Sequence, residues 1–305
     1  MRHHRVTTTR LFATALLSIA AASCSGDGGE ATEVAYAKDV LVDTEWIEAR
    51  SGDSSVRLLE LGGNDEAFLE GHLPGASFLS TGQLINPDDA IGSQIATGEQ
   101  VSAALAAVGV GPDQTLVLYD RSGNLFAARA YWALKYYRHG DVRVYNGGAT
   151  RWAADGRALT TEITEYEPSS YEAGQADPEI RTTWSYVMDH TDDPTTLFCD
   201  ARGPDEHLGR DVRAERGGHI PGSINVEWST ALASDGTFRS PAELSALYAG
   251  AGFTPDKQII TYCQSGVRGA HTWFVLSELL GYPNVRNYDG SWLEYGNNPE
   301  STIEG

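Results

Sequence analysis

The sequence predicts an α/β protein with two similar domains, each a mainly parallel sheet flanked by helices. Short apolar runs alternate with helical patterns along the chain, and this alternation is typical of βαβ units. The chain has 305 residues, about the length of two domains. Three pairs of short motifs also recur in the same order in the two halves, which indicates a tandem duplication.

The repeated motifs show which parts of the two halves correspond. Their ranges are 72–76 and 219–223, 116–123 and 259–266, and 146–148 and 289–291. The middle pair ends in Ser-Gly in both halves, and aligning the halves on it places Asp120 opposite Cys263. The first half therefore keeps the loop but lacks a sulfur nucleophile, and the second half is predicted to be the catalytic one.

Apolar runs and helical periodicity predict the same order of elements in each half. The predicted strands of the first half are 57–61, 115–119 and 142–145, and its helices include 98–108 and 127–137. The predicted strands of the second half are 196–200, 258–262 and 285–288, and its helices include 241–251 and 269–280.

The domain boundaries follow from composition. Residues 161–178 are polar, contain Pro168 and Gly174 and lack helical periodicity, so they are predicted to be the linker. The first domain is then 38–160, the second is 179–296, and 297–305 form a tail.

Residues 1–23 have the pattern of a signal peptide. Arg2, Arg5 and Arg10 precede an apolar run at 11–22 that is short for a membrane span. The small residues before Cys24 resemble a bacterial lipoprotein signal, in which that cysteine is lipidated, and the polar residues 24–37 would then be a tether. Cleavage by an ordinary signal peptidase near Ala22 is an alternative, and a buried N-terminal helix is another. We expect an exported protein on the periplasmic or extracytoplasmic face, attached to the membrane only by its lipid.

The charge balance makes nucleic-acid binding a poor candidate function. The chain has 42 Asp and Glu residues against 22 Lys and Arg residues, a formal net charge of -20. Phosphate contact requires a basic face, and none is evident in the sequence. The excess of negative charge is most simply explained by solubility.

Cys263 is the candidate nucleophile. The chain contains only the cysteines Cys24, Cys199 and Cys263, too few for a disulfide framework, although a contact between the last two is left open. Cys199 lies inside an apolar run and is expected to be a buried, inert thiol. Cys263 instead follows a predicted strand and precedes a glycine turn and a helix. Backbone N–H groups and the positive end of the helix dipole there favour the thiolate form.

The spacing of the loop favours sulfur chemistry over phosphate chemistry. Four residues separate Cys263 from Arg268, one fewer than in the cysteine phosphatases. The smaller ring of N–H groups suits a single sulfur atom or a small sulfur oxyanion. A phosphatase or arsenate-reducing activity remains as a less favoured alternative.

The motifs together resemble the two-domain rhodaneses, which include thiosulfate and 3-mercaptopyruvate sulfurtransferases. The resemblance extends from about residue 40 to residue 295. The motifs that carry it are Val42 to Trp46, Asp200-Ala201-Arg202, Gly218 to Gly222, Cys263 to Arg268, and Tyr288 to Trp292.

The resemblance implies two rhodanese-like domains and a chemical role for each loop residue. Cys263 would take the outer sulfur of a small-molecule donor as a persulfide and pass it to a thiol or cyanide acceptor, without metal or organic cofactor. The loop N–H groups would stabilise the sulfur anion. Arg268 would hold the anionic end of the donor, and Gln264 and Ser265 would tune donor choice. The other predicted members of the substrate site are Gly266, Val267 and Arg202.

Three further roles are left open or assigned to structure. Arg202 either binds the donor or pairs with Asp200 or Asp205. His72 and His219 precede Pro-Gly in both halves, so they are predicted to form turns rather than to act in catalysis. A metal site built from Cys263, His271 and His219 has no zinc-type spacing to support it.

Thiosulfate is the favoured donor. Glu206 stands where the mammalian enzymes place a second arginine, which counts against 3-mercaptopyruvate recognition by an arginine pair. The alternatives are 3-mercaptopyruvate sulfurtransfer and a non-catalytic persulfide carrier that delivers sulfur to a partner. The sequence carries no indication of oligomeric state.

Overall fold

The computed structural model describes Met1 and residues 35–305. Cys24, most of the predicted signal peptide and most of the predicted tether lie outside the described residues. Within 35–305 the chain forms two five-stranded sheets of the same topology. The α/β fold with two parallel sheets is therefore confirmed.

The first sheet has the strand order β1-β5-β4-β2-β3, and all its pairings are parallel. Its strands are β1 Leu41–Val42, β2 Val56–Gly62, β3 Ala76–Ser80, β4 Thr115–Tyr119 and β5 Val142–Tyr145. The helices around it are α1 Thr44–Glu48, α2 Glu66–Glu70, α3 Gly98–Ala107, α4 Leu125–Tyr136 and α5 Gly148–Ala154. A 3₁₀ turn, Thr81–Leu84, follows β3.

The second sheet repeats this order as β6-β10-β9-β7-β8, again with parallel pairings. Its strands are β6 Arg181–Thr182, β7 Thr196–Asp200, β8 Ile224–Asn225, β9 Gln258–Tyr262 and β10 Val285–Tyr288. The helices around it are α6 Trp184–His190, α7 Pro204–His207, α8 Pro241–Gly250, α9 Val267–Trp273 and α10 Ser291–Tyr295. A 3₁₀ turn, Trp228–Ala231, occupies the place equivalent to that of the first half.

Apolar content and capping explain the longer elements. The strands β4 and β9 are buried almost throughout, as expected for central strands covered by helices on both faces. Capping boxes at Thr97 and Ser240 begin α3 and α8. The predicted helix at 269–280 begins earlier, at Val267, and continues beyond α9 as a π-helical stretch, Phe274–Leu279.

The two halves pack directly against each other through α4 and α9. The rings of Tyr131 and Phe274 pack edge to face, with 4.8 Å between their centroids. The Tyr131 hydroxyl donates a 2.8 Å hydrogen bond to the Glu278 carboxylate. Apolar side chains from both halves form one continuous buried cluster there. Because α4 and α9 directly follow the Asp120 and Cys263 loops, this packing holds both loops near the interface.

The predicted linker and tail both lie against the domains. The N–H groups of Ser169 and Gly174 donate to the carbonyls of Ala106 and Tyr137, each at 3.0 Å. Glu304 pairs with His219 through two backbone hydrogen bonds, as Thr160 pairs with His72 in the first half. Within residues 35–305, no helix is both long enough and apolar enough to cross a membrane.

Candidate active site

Cys263 lies directly after β9, in the tight loop that leads into α9, and only 1% of its surface is exposed. Gly266 closes the loop with a left-handed backbone, φ 77°. A Cβ atom at Gly266 would stand 2.6 Å from the Asp289 carbonyl oxygen, so only glycine fits this position.

Ser291 supports the loop from behind. Its hydroxyl accepts hydrogen bonds from the N–H groups of Cys263 at 3.1 Å and Gly266 at 3.0 Å, and donates to the Tyr288 carbonyl at 2.7 Å. Ser291 has φ 50°, a costly conformation for a residue with a side chain, and Gly148 stands at the matching place with φ 56°. Ser291 is not among the site residues that the sequence predicts. The available signal was the third motif pair, in which serine replaces that glycine.

Two carbonyls of the loop are bonded by the start of α10. The carbonyls of Cys263 and Gln264 accept from the N–H groups of Trp292 and Leu293, at 3.0 and 2.9 Å. The N–H groups of Ser265, Val267 and Gly269 donate no hydrogen bond to any other described residue. Free N–H donors grouped at a helix start form a site for an anion.

The matching loop of the first half shows what such donors bind. The carboxylate of Asp120, which is 1% exposed, accepts hydrogen bonds from four backbone N–H groups. The donors are Ser122 at 2.7 Å, Asn124 at 3.0 Å, Phe126 at 2.7 Å and Ala127 at 2.9 Å. The first three correspond by sequence to the free donors of the Cys263 loop. Burial raises the pKa of Asp120, and the four hydrogen bonds oppose that rise.

Arg268, at the end of the Cys263 loop, is engaged by Glu206. Its Nη1 and Nη2 atoms lie 2.6 and 2.9 Å from the two carboxylate oxygens. Arg213 lies 3.7 Å from the same carboxylate. Burial disfavours the charge of Arg268, but Glu206 and the Cys263 sulfur outweigh burial and raise the pKa of Arg268. Burial likewise opposes the charge of Glu206, and the Arg268 hydrogen bonds lower the pKa of Glu206 nonetheless.

Gln264 and Ser265 form the part-exposed rim of the loop. The Gln264 side-chain amide donates to the Arg213 carbonyl at 2.8 Å, which ties the loop to the segment after α7. Val267 is also part-exposed, whereas Gly266 is buried. The structure therefore brings together Cys263, the loop residues 264–267 and Arg268.

Arg202, which follows β7, is buried and makes its hydrogen bonds outside this group. Its guanidinium is 1% exposed, forks onto the Asp200 carboxylate at 2.9 and 2.7 Å and donates to the Gly218 carbonyl at 2.8 Å. Asp200 also accepts from the Tyr262 hydroxyl at 2.9 Å. This geometry favours the ion-pair interpretation of Arg202 over donor binding.

The histidines and the other cysteine make structural contacts. The Nδ1 atoms of His72 and His219 each lie 2.8 Å from a backbone carbonyl, of Phe68 and His207. Cys199 and Cys263 are both free and buried. Among the described residues, no cluster of three His, Cys, Asp or Glu side chains could hold a metal ion.

Comparison with known proteins identifies the architecture. The model of the rhodanese-like domain family matches the chain twice, over residues 43–155 and 183–298. The chain belongs to the rhodanese-like family.

Two relatives of this rhodanese-like protein have names that refer to sulfur carriage or sulfur transfer. The sulfur carrier protein TtuD of Thermus thermophilus is 39% identical over 270 residues, 85% of this chain and 94% of that protein. A protein of Saccharopolyspora erythraea, provisionally named a thiosulfate sulfurtransferase, is 41% identical over 267 residues, 85% of this chain and 94% of its own.

A solved structure has a similar fold across most of the chain. The anaerobic ergothioneine biosynthesis enzyme of Chlorobium limicola, in complex with trimethyl histidine, superimposes with a TM-score of 0.80 at 27% identity. The match covers 87% of this rhodanese-like chain and 69% of that enzyme.

Proposed function

We propose that this protein is a sulfurtransferase that moves a sulfane sulfur from thiosulfate to a thiol or cyanide acceptor through a persulfide on Cys263. The observation that carries the proposal is the Asp120 carboxylate, held by backbone N–H groups whose counterparts around Cys263 are free. The loop is thus a site for an anion attached to the residue at its start.

The reach of the Asp120 side chain indicates which anion the Cys263 loop would hold. Two bonds separate the Asp120 Cβ atom from its carboxylate oxygens, and two bonds separate Cβ from the terminal sulfur of a cysteine persulfide. A thiolate is one bond shorter. The free N–H groups near Ser265 and Val267 are therefore suited to the terminal sulfur of the persulfide, which they would stabilise as preorganised donors.

The proposed reaction has two balanced steps. The Cys263 thiolate attacks the outer sulfur of thiosulfate, forming a new S–S bond while the bond to the sulfonate sulfur breaks and its electron pair leaves with sulfite. Cyanide or a thiolate then attacks the terminal sulfur of the persulfide, taking it as thiocyanate or a new persulfide and returning Cys263 as thiolate.

The pairing of the arginines around Arg268 counts against 3-mercaptopyruvate as donor. Arg268 is paired with Glu206, and Arg213, 3.7 Å from that carboxylate, is paired more closely with Asp211 at 2.6 Å. The site therefore has no arginine pair free to hold the carboxylate of 3-mercaptopyruvate, and thiosulfate is the favoured donor.

Turnover assays with matched cysteine variants test this proposal. The purified 35–305 region is mixed with thiosulfate and cyanide, or with 3-mercaptopyruvate and a thiol, and release of sulfite or pyruvate is followed. We expect thiosulfate turnover that Cys263→Ser abolishes and Cys199→Ala preserves, together with a Cys263 adduct one sulfur atom heavier after donor alone. Absence of turnover with both donors would refute the enzymatic proposal.

A persulfide carrier is the second candidate, favoured by the relative named as a sulfur carrier. A carrier and an enzyme both load Cys263, but a carrier releases sulfite once per protein molecule and then stops when only small acceptors are present. Sulfite release beyond one equivalent therefore separates the two.

We further propose that the protein is exported and anchored through lipid on Cys24. The support is the basic, apolar and small-residue order of the N-terminal sequence. Mass spectrometry of the N-terminus from membrane fractions tests this, and an intact, unlipidated N-terminus there would contradict it.

A further inference from the structure

Arg129 reaches from the non-catalytic half to the back of the catalytic loop. It lies on α4 with 4% of its surface exposed. One guanidinium nitrogen lies 2.7 Å from the Asp289 carboxylate, as an ion pair without hydrogen-bond alignment. Another donates to the Gly266 carbonyl at 3.4 Å, and a third contact reaches the Ser93 carbonyl.

Asp289 joins the two halves at this point. It lies fully buried in the turn between β10 and Ser291. Besides the Arg129 ion pair, it accepts hydrogen bonds from the Ile95 N–H at 2.8 Å and the Arg181 side chain at 3.1 Å. The non-catalytic half thus supplies two of the groups around this carboxylate, Arg129 and Ile95.

The equivalent contact around the Asp120 loop has no buried ion pair. Asn146 there takes the place of Asp289 and accepts from the Phe238 N–H at 2.9 Å, as Asp289 accepts from Ile95. Asn124 bridges Asn146 and the Gly236 carbonyl, at 3.4 and 3.2 Å. The residue equivalent to Arg129 is Thr272, and the separation along the chain is the same for every matched pair.

The charged version of the contact therefore accompanies the loop that carries Cys263. On the Asp120 side the buried contact is a neutral amide, and the ion pair nearby, Arg151 with Asp235 at 3.5 Å, is exposed. A buried ion pair costs desolvation and adds little net stability over uncharged packing, so stability alone does not explain Arg129 and Asp289.

We propose that Arg129 is a positioning residue for the catalytic loop, acting in trans from the non-catalytic domain. In a planar trans peptide the C=O and N–H point in opposite directions. The Gly266 carbonyl and the Val267 N–H belong to one peptide unit. The Ala270 N–H of α9, the Asn287 side chain and Arg129 hold that carbonyl behind the loop, at 3.0, 3.2 and 3.4 Å, and of these Arg129 comes from the other half. Together they turn the Val267 N–H toward the front, where the persulfide would lie.

Arg129 thereby gives the domain without a nucleophile a direct part in shaping the Cys263 loop. Its action rests on the proposed function, because a persulfide or thiolate must occupy the loop. The prediction extends to the intrinsic reactivity of Cys263, which can be measured without any sulfur donor.

The test replaces the charged pair by the neutral residue types that stand at the equivalent positions of the other half. The double variant Arg129→Thr, Asp289→Asn reproduces Thr272 and Asn146, and leaves neither member of the ion pair buried alone. We expect it to stay folded, with kcat for thiosulfate–cyanide transfer reduced up to about 100-fold by loop misplacement and KM changed little. Alkylation of Cys263 by iodoacetamide should slow as well. The matched control Asn146→Ala removes the equivalent contact of the other half and should lower the melting temperature while preserving kcat.

Wild-type kcat and alkylation rate in the folded double variant would overturn the proposal. Arg129→Lys covers the case in which the double variant does not fold, because it keeps the charge but cannot contact Asp289 and Gly266 together. A lysine variant with wild-type kcat and alkylation rate would also overturn it. If the wild type turns over no donor, the proposed function fails, and the alkylation comparison still decides the role of Arg129.

Discussion

The guanidinium of Arg268 and the carboxylate of Glu206 face each other across the mouth of the Cys263 loop, with N–O distances of 2.6 and 2.9 Å. Arg268, the cation predicted to hold the donor, is therefore already paired. An anionic donor must share Arg268 with Glu206 or displace it. Glu206 consequently sets how strongly the site attracts anions.

Glu206→Gln is expected to lower the KM for thiosulfate about tenfold, the equivalent of about 1.4 kcal/mol, by removing a charge that competes for Arg268. Glutamine retains an oxygen for the Gly203 N–H, which Glu206 binds at 3.2 Å. Steady-state kinetics measure the effect, and kcat should change little. Asp205→Asn is the control, because Asp205 is exposed and pairs with Arg210 on the surface. An unchanged or higher KM in Glu206→Gln would contradict the competition.

Ser291→Ala removes the hydroxyl that accepts from two buried loop N–H groups. Leaving buried donors without an acceptor should destabilise the domain by about 2 kcal/mol and reduce sulfur transfer. Ser291→Gly separates this effect from backbone strain, because glycine accepts φ 50° readily. We expect the glycine variant to melt higher than the alanine variant while both lose activity. Activity in Ser291→Ala equal to wild type would show that the hydroxyl does not shape the loop.

The sequence predicts the central strands well and the short edge strands poorly. Thr115–Tyr119 and Gln258–Tyr262 are apolar runs bounded by turn residues, and such local patterns survive folding unchanged. The edge strands Leu41–Val42 and Ile224–Asn225 are too short to carry a periodicity.

In the candidate site, likewise, the sequence predicts the contiguous loop but not the residues that contact it from elsewhere in the chain. The loop from Cys263 to Arg268 is contiguous, so its motif was readable. Arg129 reaches it from the other half of the chain, and only the packing of α4 on α9 reveals that contact. Glu206 was noticeable in the sequence as the residue in place of an arginine, but its pairing with Arg268 depends on where α7 lies. Arg202 is the opposite case, because this residue of a recognised motif bonds Asp200 and the Gly218 carbonyl.

Asp120 is expected to stabilise the first domain as an internal anion. Asp120→Ala leaves four backbone N–H groups without their acceptor, which should cost about 3 kcal/mol or more in the free energy of unfolding. Asp120→Asn keeps one side-chain oxygen and should lose less. Urea denaturation of the three proteins gives the order wild type, asparagine variant, alanine variant. Equal stability of the alanine variant and the wild type would mean that water replaces the carboxylate at no cost.

His271 is expected to make the fold sensitive to acid. It is completely buried between the rings of Trp228 and Phe238, and neither ring nitrogen makes a hydrogen bond to another described residue. Burial lowers the pKa of His271 to about 3, against a smaller opposing influence of the Gly123 backbone.

Because this pKa is lower in the folded chain than the ordinary value of about 6.5, the unfolded chain binds the proton more readily. The contribution of neutral His271 is therefore fully present above about pH 6.5 and is lost progressively as the pH falls toward 3. At pH 5 the loss should be about 2 kcal/mol relative to pH 7, at about 1.4 kcal/mol per pH unit below 6.5. His271→Leu keeps an apolar side chain of similar volume and cannot titrate. Urea denaturation across this range should give a shallower pH dependence for the leucine variant than for the wild type, whereas parallel curves would show that His271 does not take up a proton on unfolding.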